Sequence, residues 1–235
     1  MKLLLSMTTI QARLEDARRV LASFRDQTRP ADETHLYVSR EGYIFDTGIA
    51  DPGPVAADVH FVPNTGPYRK LLPLLRERWN EDVLIVTIDD DGAYPPWVLE
   101  RLVNGYERTG CITCFRAKRA KRRGDGRFKP FLSWPGVQPT EESVSLFNYP
   151  LGSWGILYSP QHFSERVFDE AAMKASPTAC EPWLYGNTYL RGTKTCVLQG
   201  RFPMLRENED CLWKINAKKQ DARLRAVWQH FGTVF

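Results

Sequence analysis

The sequence lacks the long apolar segments that membrane spans require. None of its apolar runs approaches the roughly 20 residues that a helix needs to cross a bilayer. The opening stretch MKLLLSMTTIQAR has one lysine and three leucines before polar residues begin, which is too short for a signal peptide or an anchor. The five cysteines are an odd number, which favours a reducing compartment when no secretory signal is present. We therefore expect a cytoplasmic protein.

The sequence also lacks the marks of repeat proteins and of nucleic-acid-binding proteins. No internal repeat is visible, and the basic residues are neither interleaved with aromatic residues nor set in a recognised module. The residues are 43% hydrophobic and 26% charged, which is typical of a globular rather than a disordered chain. The net charge of +4 suggests anionic ligands without requiring nucleic acid. We expect one domain with no nucleic-acid partner.

Strands and helices alternate in the first half of the chain. Period and composition predict strands at 2–9, 34–40, 59–64, 83–88 and 111–117, and helices at 10–24, 66–79 and 95–110. This alternation indicates an α/β fold with a doubly wound, mostly parallel sheet and helices on both faces. Two local details are expected as well: a capping box formed by Thr8 and Gln11, and a kink at Pro73.

The second half has a less regular pattern. It predicts a helix over 161–173, a loop followed by a helix over 177–192, a strand over 194–200 and a helix over 221–231. The stretch 116–129 contains eight lysines and arginines with two glycines, which favours a loop.

Three carboxylates directly follow the most apolar strand, in the stretch VLIVTIDDDGAYPP. Residues 83–88 read as a buried strand, and Asp89, Asp90 and Asp91 come next. Neighbouring carboxylates repel one another, and partial burial strengthens the repulsion. Ligands bind outside the carboxyl ends of strands in open parallel sheets, so Mg²⁺ or Mn²⁺ with oxygen ligands would relieve it there. Alternatively, the acids solvate a turn or cap the helix that begins at Pro95.

The segment TIDDDGAYPPWVLERL resembles the Asp-x-Asp motif of the GT-A nucleotide-sugar glycosyltransferases, and more narrowly a bacterial family-2-like group from capsule and lipopolysaccharide gene clusters. The resemblance covers most of the chain. It continues in the same order through the segments LSMTTIQAR, NTGPYRKLLPLL, LGSWGILYSP, SPTACEPWLY and CLWKINAKKQDARL. It implies a GT-A fold in a single domain, with residues 1–115 as the nucleotide-sugar-binding half and 116–235 as the acceptor half.

The resemblance implies that the loops after the first and third strands bind the donor. Thr8, Thr9 and Arg13 would seat the nucleotide, and Gly66 and Lys70 would face the diphosphate, where a lysine acts as a point charge. The alternatives are that Thr8 only caps a helix, that Arg13 is a surface charge, and that Lys70 lies on a solvated helix face.

The resemblance also assigns roles to the three acids. Asp89 would face the donor ribose or sugar, and Asp91 would hold Mn²⁺ or Mg²⁺ with help from Asp89. Asp90 is placed with the donor-binding residues. The metal would neutralise the charge that grows on the diphosphate leaving group.

The catalytic base implied by the resemblance is Glu181. Relatives have an acidic pair at the start of a late helix, and here the pair reads Cys180-Glu181, with cysteine in place of the first acid. The alternative for Glu181 is a helix N-terminal charge that interacts favourably with the helix dipole. The segment ENED, with Glu207, Glu209 and Asp210, is a rival source of the base.

On the acceptor side, the resemblance points to Trp154 and Gly155, with the Trp154 ring stacking on a sugar. A core aromatic residue is the alternative interpretation of Trp154. The basic stretch 116–129 has three interpretations: it grips an anionic acceptor, it contacts anionic lipid at the inner face of the membrane, or it is a solvated loop.

Together these features predict a metal-dependent enzyme that transfers a sugar from a nucleotide diphosphate sugar, a UDP-sugar first of all, to a glycan or lipid-linked acceptor. The expected stereochemistry is inversion, and the expected setting is bacterial surface polysaccharide synthesis. A non-catalytic nucleotide- or glycan-binding relative is one alternative. A sugar-phosphate nucleotidyltransferase is the other, although SMTTIQAR lacks the glycine-rich loop that such enzymes carry after their first strand.

Overall fold

One large sheet forms the centre of the molecule. The computed structural model describes residues 1–137, 142–200 and 212–233. Within these ranges the strands are β1 (Lys2–Thr8), β2 (Glu33–Val38), β3 (Asp58–Phe61), β4 (Val83–Ile88), β5 (Ile112–Cys114), β6 (Ala117–Arg119), β7 (Gly136–Val137), β8 (Ser143–Ser145), β9 (Asn148–Pro150), β10 (Ile156–Tyr158) and β11 (Thr195–Val197). The α-helices are α1 (Leu14–Ser23), α2 (Leu72–Glu77), α3 (Val98–Thr109), α4 (Glu170–Met173), α5 (Glu181–Arg191) and α6 (Leu212–His230).

The large sheet has eight strands within the described residues, in the order β3-β2-β1-β4-β10-β5-β11-β8. Strands β3, β2, β1 and β4 are parallel neighbours, and β5 and β11 are parallel to each other. Strand β10 runs antiparallel between β4 and β5, and β8 runs antiparallel at the edge. The predicted fold class, a single α/β domain with a mostly parallel sheet, is confirmed.

Helices cover both faces of this sheet because the strands bury alternate side chains on opposite sides. In β1, Leu3, Leu5 and Met7 belong to the hydrophobic cluster that contains α1 and α3. Leu4 belongs to the cluster on the other face, with residues of α2, α5 and α6. No helix within the described residues combines the length and apolar character that a membrane span needs.

The basic stretch is more ordered than a loop. Strand β6 lies between β7 and β9 in a small antiparallel sheet. The chain beyond β6 then folds back on itself, with a bridge between Arg122 and Phe128 and a 2.7 Å hydrogen bond from the Lys129 N–H to the Lys121 carbonyl. The expectation of a loop over 116–129 therefore holds only for the hairpin tip.

The predicted capping box at Thr8 is wrong. The Thr8 hydroxyl donates instead to the carbonyl of Tyr37 across the sheet, at 2.7 Å. A 3₁₀ turn begins after Ile10, without a side-chain cap. The predicted helix 66–79 is divided, because a 3₁₀ turn over Gly66–Lys70 ends before α2 begins, with Pro73 in the first turn of α2.

The helix predicted over 161–173 is also wrong, since the segment forms two 3₁₀ turns and the four-residue α4. Tertiary hydrogen bonds explain the difference. The Ser164 N–H donates to the side-chain carbonyl of Asn187, and the indole N–H of Trp183 donates to the Val167 carbonyl at 2.8 Å. The helices predicted within 177–192 and 221–231 are confirmed as α5 and as part of α6.

Candidate functional site

A cleft of about 660 Å³ opens at the carboxyl edge of the parallel strands. Nine of the residues proposed from the sequence for donor, metal and catalytic roles line it: Thr8, Thr9, Arg13, Gly66, Lys70, Asp89, Asp90, Asp91 and Glu181. The topology explains this convergence, because the loops after parallel strands all emerge at one edge of a sheet. Strand β10 is reversed, so the loop that precedes it reaches the same edge as the loop that follows β4.

Asp89 is neutralised by Lys70, which ends the 3₁₀ turn after β3. The Lys70 ammonium lies 2.7 Å from the Oδ1 atom of Asp89, and Lys70 is almost fully buried. Burial alone would lower the pKa of Lys70, but the nearby carboxylates of Asp89 and Glu181 outweigh it and raise that pKa well above its usual value. Lys70 therefore carries a fixed positive charge inside the cleft.

Asp90 and Asp91 share one arginine. The Arg13 guanidinium lies 3.0 Å from Oδ1 of Asp90 and 2.5 Å from Oδ2 of Asp91, and the Thr9 hydroxyl donates to Asp90 at 2.7 Å. Burial nevertheless raises the pKa of Asp90 to about 6, with Arg13 and Thr9 opposing the rise. Burial and the neighbouring charge of Asp89 also raise the pKa of Asp91. The positive charges of Arg13 and Lys70 thus offset part of the electrostatic repulsion among the three carboxylates.

A buried ion pair that was not predicted from the sequence supports this side of the cleft. The Arg69 guanidinium lies 2.9 Å from the carboxylate of Asp46, and both side chains are at most 3% exposed. Arg69 also donates to the carbonyls of Thr9 and Gly66, while Asn64 donates to Asp46 at 3.0 Å. The pair therefore ties together the loops that follow β1, β2 and β3. The Nη1 atom of Arg69 is buried with no hydrogen-bond partner among the described residues.

Glu181 faces the Lys70–Asp89 pair across a glycine. A Cβ atom placed on Gly152 would lie 2.9 Å from Nζ of Lys70, 3.1 Å from Oε1 of Glu181 and 3.5 Å from Oδ2 of Asp89. The three charged groups therefore surround one point, which only a residue without a side chain leaves open. In the part of the chain that the structure describes, no basic side chain lies within 4.0 Å of the Glu181 carboxylate.

Cys180 is buried next to Glu181. Its side chain is 2% exposed, belongs to the hydrophobic cluster on the α5 and α6 face, and is absent from the cleft lining. Burial raises the pKa of its thiol. An apolar environment of this kind favours cysteine over a carboxylate. Of the neighbours Cys180 and Glu181, Glu181 lines the cleft and Cys180 does not.

Trp154 and Gly155 do not line the cleft. Trp154 packs against the cluster that contains α1 and α3, and the Arg116 guanidinium lies 5.4 Å from the centre of its ring. The neighbouring residues Gly152 and Ser153 line the cleft instead. The geometry therefore gives no support to the predicted acceptor contacts of Trp154 and Gly155. Further along this wall the cleft is lined by Arg116, Lys118, Phe131, Tyr149, Asn216 and Gln220.

The acids fit a divalent cation only as a partial ligand set. No group of three or more histidine, cysteine or carboxylate side chains in the described ranges could hold a metal ion by itself. Carboxylates are the ligands that Mg²⁺ and Mn²⁺ prefer, and such ions commonly take one or two of them and complete their coordination with substrate phosphates and water. Asp89 and Asp91 suit that arrangement. The rival acids Glu207, Glu209 and Asp210 lie outside the described residues.

No protein-family model matches the chain, and no curated protein matches it. Solved structures do match. S. aureus TarS 1–349 in complex with UDP-GlcNAc has a TM-score of 0.54 at 14% identity, with 98% of this chain and 72% of that chain covered. The same protein in complex with UDP has a TM-score of 0.53 at 16% identity, with 86% of this chain and 59% of that chain covered. A longer S. aureus TarS chain has a TM-score of 0.53 at 15% identity, with 98% of this chain and 43% of that chain covered.

The chain therefore spans less than two thirds of some of the TarS chains that it matches. A cytidylyltransferase from Thermus thermophilus also matches, at a TM-score of 0.49, which is too low to bear on function. TarS is a glycosyltransferase of GT-A-like fold. The arrangement of the sheet and its covering helices is therefore similar to the GT-A-like fold of the TarS structures.

Proposed function

We propose that this protein is a metal-dependent glycosyltransferase that moves a sugar from a UDP-sugar to a glycan or lipid-linked acceptor with inversion at the anomeric carbon. The observation that carries the proposal is the convergence of Lys70, Asp89 and Glu181 around Gly152. One cleft thus brings a carboxylate able to accept a proton next to a fixed positive charge able to hold a diphosphate. The likeness in fold to TarS structures that contain UDP and UDP-GlcNAc supports the choice of donor.

Glu181 is the proposed base. Its carboxylate accepts the proton of an acceptor hydroxyl, and the oxygen forms a bond to the anomeric carbon of the donor sugar. The bond from that carbon to the diphosphate oxygen breaks, and the diphosphate takes the electron pair. Because the hydroxyl enters opposite the leaving group, configuration inverts. The position of Glu181 supports this role, because its carboxylate lines the cleft beside the Lys70–Asp89 pair.

Lys70 and Arg13 are the proposed phosphate-side charges. Negative charge grows on the diphosphate as its bond to the sugar breaks, and a positive charge fixed in advance stabilises that change. Lys70 is held in place by Asp89, and Arg13 by Asp90 and Asp91, so neither side chain needs to reorganise during the reaction. Thr8, Thr9 and Gly66 lie on the same wall and are proposed to contact the nucleotide.

A divalent cation, Mn²⁺ or Mg²⁺, would be held by Asp89 and Asp91. It would supply further positive charge to the departing diphosphate. Asp90 is already bonded to Thr9 and Arg13, and we assign it to positioning these two donor-side residues.

The acceptor is proposed to bind along the wall that includes Arg116, Lys118 and Tyr149. Hydroxyl-bearing and aromatic side chains are common in sugar sites, and the two cations suit an acceptor that carries a negative charge. A glycan or a lipid-linked sugar would fit this chemistry, and bacterial surface polysaccharide synthesis is the setting that we propose.

Calorimetric titration with UDP, in the presence and absence of Mn²⁺, tests the donor site. We expect UDP to bind more tightly with Mn²⁺, and we expect Asp91→Ala to lose that gain while unfolding at the same temperature as the parent protein. Asp82→Ala is the matched control, because Asp82 is exposed at the opposite end of β4. If the parent protein binds UDP neither with Mn²⁺ nor without it, the proposed donor is wrong.

Turnover is tested by nucleotide release from UDP-sugars offered with glycan and lipid-linked acceptors. Release that depends on both the acceptor and Glu181 would support the enzyme. UDP binding without release from any donor and acceptor pair would favour a non-catalytic binding relative instead.

A further inference from the structure

The net positive charge of the protein equals that of one hairpin. Residues 121–129 contain five lysines and arginines and one aspartate, a net charge of +4 that equals the net charge of the whole chain. The remaining residues are therefore neutral overall. Such a concentration creates a local field that a mixed-charge surface lacks.

The side chains of the hairpin tip are exposed. The Arg123 N–H donates to the Arg127 carbonyl at 2.7 Å, so the backbone closes the hairpin, and both arginine side chains extend into solvent. Asp125 accepts the backbone N–H of Arg127 at 3.0 Å, as a carboxylate in a turn does. Lys121 and Lys129 are exposed as well. Within residues 121–129, all of which the structure describes, Asp125 is the one acid among these basic groups.

The last helix extends this positive surface. The Phe131 N–H donates to the Asp221 carboxylate at 2.7 Å, which places that face of α6 against the base of the hairpin. Lys218 and Arg225 lie three residues before and four after Asp221, so they share its helix face, and both are exposed. Leu132 follows Phe131 and is 64% exposed, the largest value among the exposed large hydrophobic residues described.

We propose that this surface docks the protein on an anionic lipid bilayer. The surface, called here the basic face, consists of residues 121–129, Leu132, Lys218 and Arg225. Basic side chains next to a negative membrane surface each strengthen binding, and an exposed leucine among them can insert among the acyl chains. A soluble polyanion would pair with the basic groups but would leave the apolar Leu132 side chain in water. A bilayer offers both anionic headgroups and an apolar interior, so it fits this surface better.

Docking in this way would hold the cleft near the membrane. Phe131 and Lys118 line the cleft and lie at the base of the hairpin, where the Lys118 ammonium donates to the Trp134 carbonyl at 3.0 Å. An acceptor anchored in the bilayer would then reach the acceptor wall without leaving the lipid. This consequence rests on the proposed function, whereas the docking itself does not.

Sedimentation with lipid vesicles tests the proposal. We expect the protein to bind vesicles of phosphatidylglycerol and phosphatidylcholine, to ignore pure phosphatidylcholine, and to release as salt is raised toward 1 M, where the Debye length falls to about 3 Å. Arg123→Gln combined with Arg127→Gln should weaken binding about 25-fold, at about fivefold for each basic side chain. The matched control is Arg25→Gln with Lys174→Gln, which removes two exposed charges elsewhere.

Leu132→Asp gives a second and independent measurement, since it adds an unfavourable charge without removing a basic residue. We expect it to weaken vesicle binding in the same assay, with thermal unfolding unchanged because the side chain is exposed. Equal losses for the hairpin variant and its control would overturn the proposal. So would hairpin-dependent binding of inorganic polyphosphate by a protein that does not bind the anionic vesicles. Neither readout depends on turnover, so failure of docking is distinguishable from failure of the proposed enzyme.

Discussion

The charged side chains on the two walls of the cleft are paired differently. The walls are named here after the donor and the acceptor that we propose they bind. On the donor wall, four carboxylates each lie within 3.0 Å of a basic side chain: Asp46 with Arg69, Asp89 with Lys70, and Asp90 and Asp91 with Arg13. On the acceptor wall, Glu181 has no salt-bridge partner among the described residues, and Arg116 and Lys118 contact hydroxyl, carbonyl or aromatic groups.

We propose that this difference corresponds to two tasks. A wall that must hold a diphosphate benefits from charges fixed in place before the ligand arrives, because reorganisation then costs little. A carboxylate that must accept a proton has to lie within hydrogen-bond reach of the acceptor hydroxyl. On the proposed function, positioning and proton transfer would therefore be separated within one cleft, and each of the following changes tests that separation.

Glu181→Gln should remove the proposed base from the acceptor wall and produce the largest loss of turnover. The amide cannot accept the proton, so we expect turnover to fall by about 10²- to 10⁴-fold while UDP affinity stays the same. Nucleotide release and calorimetry measure the two quantities. Glu170→Gln, an exposed glutamate at the start of α4, is the control. Parallel losses of UDP affinity and turnover would assign Glu181 to the donor wall instead.

Arg69→Met should destabilise the loops that form the donor wall, because it removes the buried ion pair that joins them. It leaves the Asp46 carboxylate buried without its partner, which we expect to lower the free energy of unfolding by about 3–5 kcal/mol. Denaturant titration measures this change. Arg29→Met removes one partner of an exposed pair with Glu107 and should cost less than about 1 kcal/mol. If the two variants lose equal stability, the buried pair does not support the loops of the cleft.

Arg13 and Thr9 compensate only part of the cost of burying the charge of Asp90 on the donor wall. Its pKa of about 6 lies above the usual value of 3.8, so the folded protein binds this proton more tightly than the unfolded chain does. The contribution of Asp90 therefore favours folding when the group is protonated, and that advantage is lost as pH rises from about 4 to about 6. The difference between the folded and unfolded pKa values of Asp90 corresponds to about 3 kcal/mol in the free energy of unfolding.

Asp90→Asn should remove this pH dependence. We expect the variant to gain stability relative to the parent protein at pH 7 and little at pH 4, as measured by urea unfolding at both values. An unchanged difference between parent and variant across this pH range would mean that Arg13 and Thr9 compensate the charge fully.

Gly152→Ala should produce the smallest effect and test the point where the walls meet. The new methyl group would displace the ends of the Lys70 and Glu181 side chains by a few tenths of an ångström. We expect turnover to fall about tenfold, with the free energy of unfolding changed by less than about 1 kcal/mol, because the displaced atoms are the ends of long side chains that need to move only slightly. Gly136→Ala, with no atom within 4 Å of the new methyl group, is the control. Equal turnover in both variants would show that the spacing across Gly152 is not critical.

The sequence predicts the sheet and the carboxyl-edge site because both depend on local pattern. Apolar strands, helical periods and the three acids after β4 are all readable within a few residues. The pairs that shape the site are not, since Arg13 lies 78 residues from Asp91 and Arg69 lies 23 from Asp46. The bonds of Asn187 and Trp183 that break the predicted helix at 161–173 are long-range in the same sense.

The glycine-rich segment shows the same limit at closer range. The resemblance of the segment LGSWGILYSP predicts acceptor contacts at Trp154 and Gly155, whereas Gly152 is the residue of this segment that lies among Lys70, Asp89 and Glu181. Which residue faces the cleft is set by the backbone, and Trp154 has a positive φ of 76° that turns its side chain toward the cluster of α1 and α3. The division of the chain into a donor half and an acceptor half at residue 115 stays a prediction.

Strand β10 is hydrogen-bonded on both sides, to β4 and to β5, although it has only three residues. Its amide protons should therefore be among the last in the protein to exchange with deuterium, while the loop that precedes it exchanges earlier. The strand would then belong to the most stable part of the framework, while the loop before it places Gly152 and Ser153 in the cleft. On the proposed function, substitutions in that loop could change the acceptor that is used with little loss of the framework.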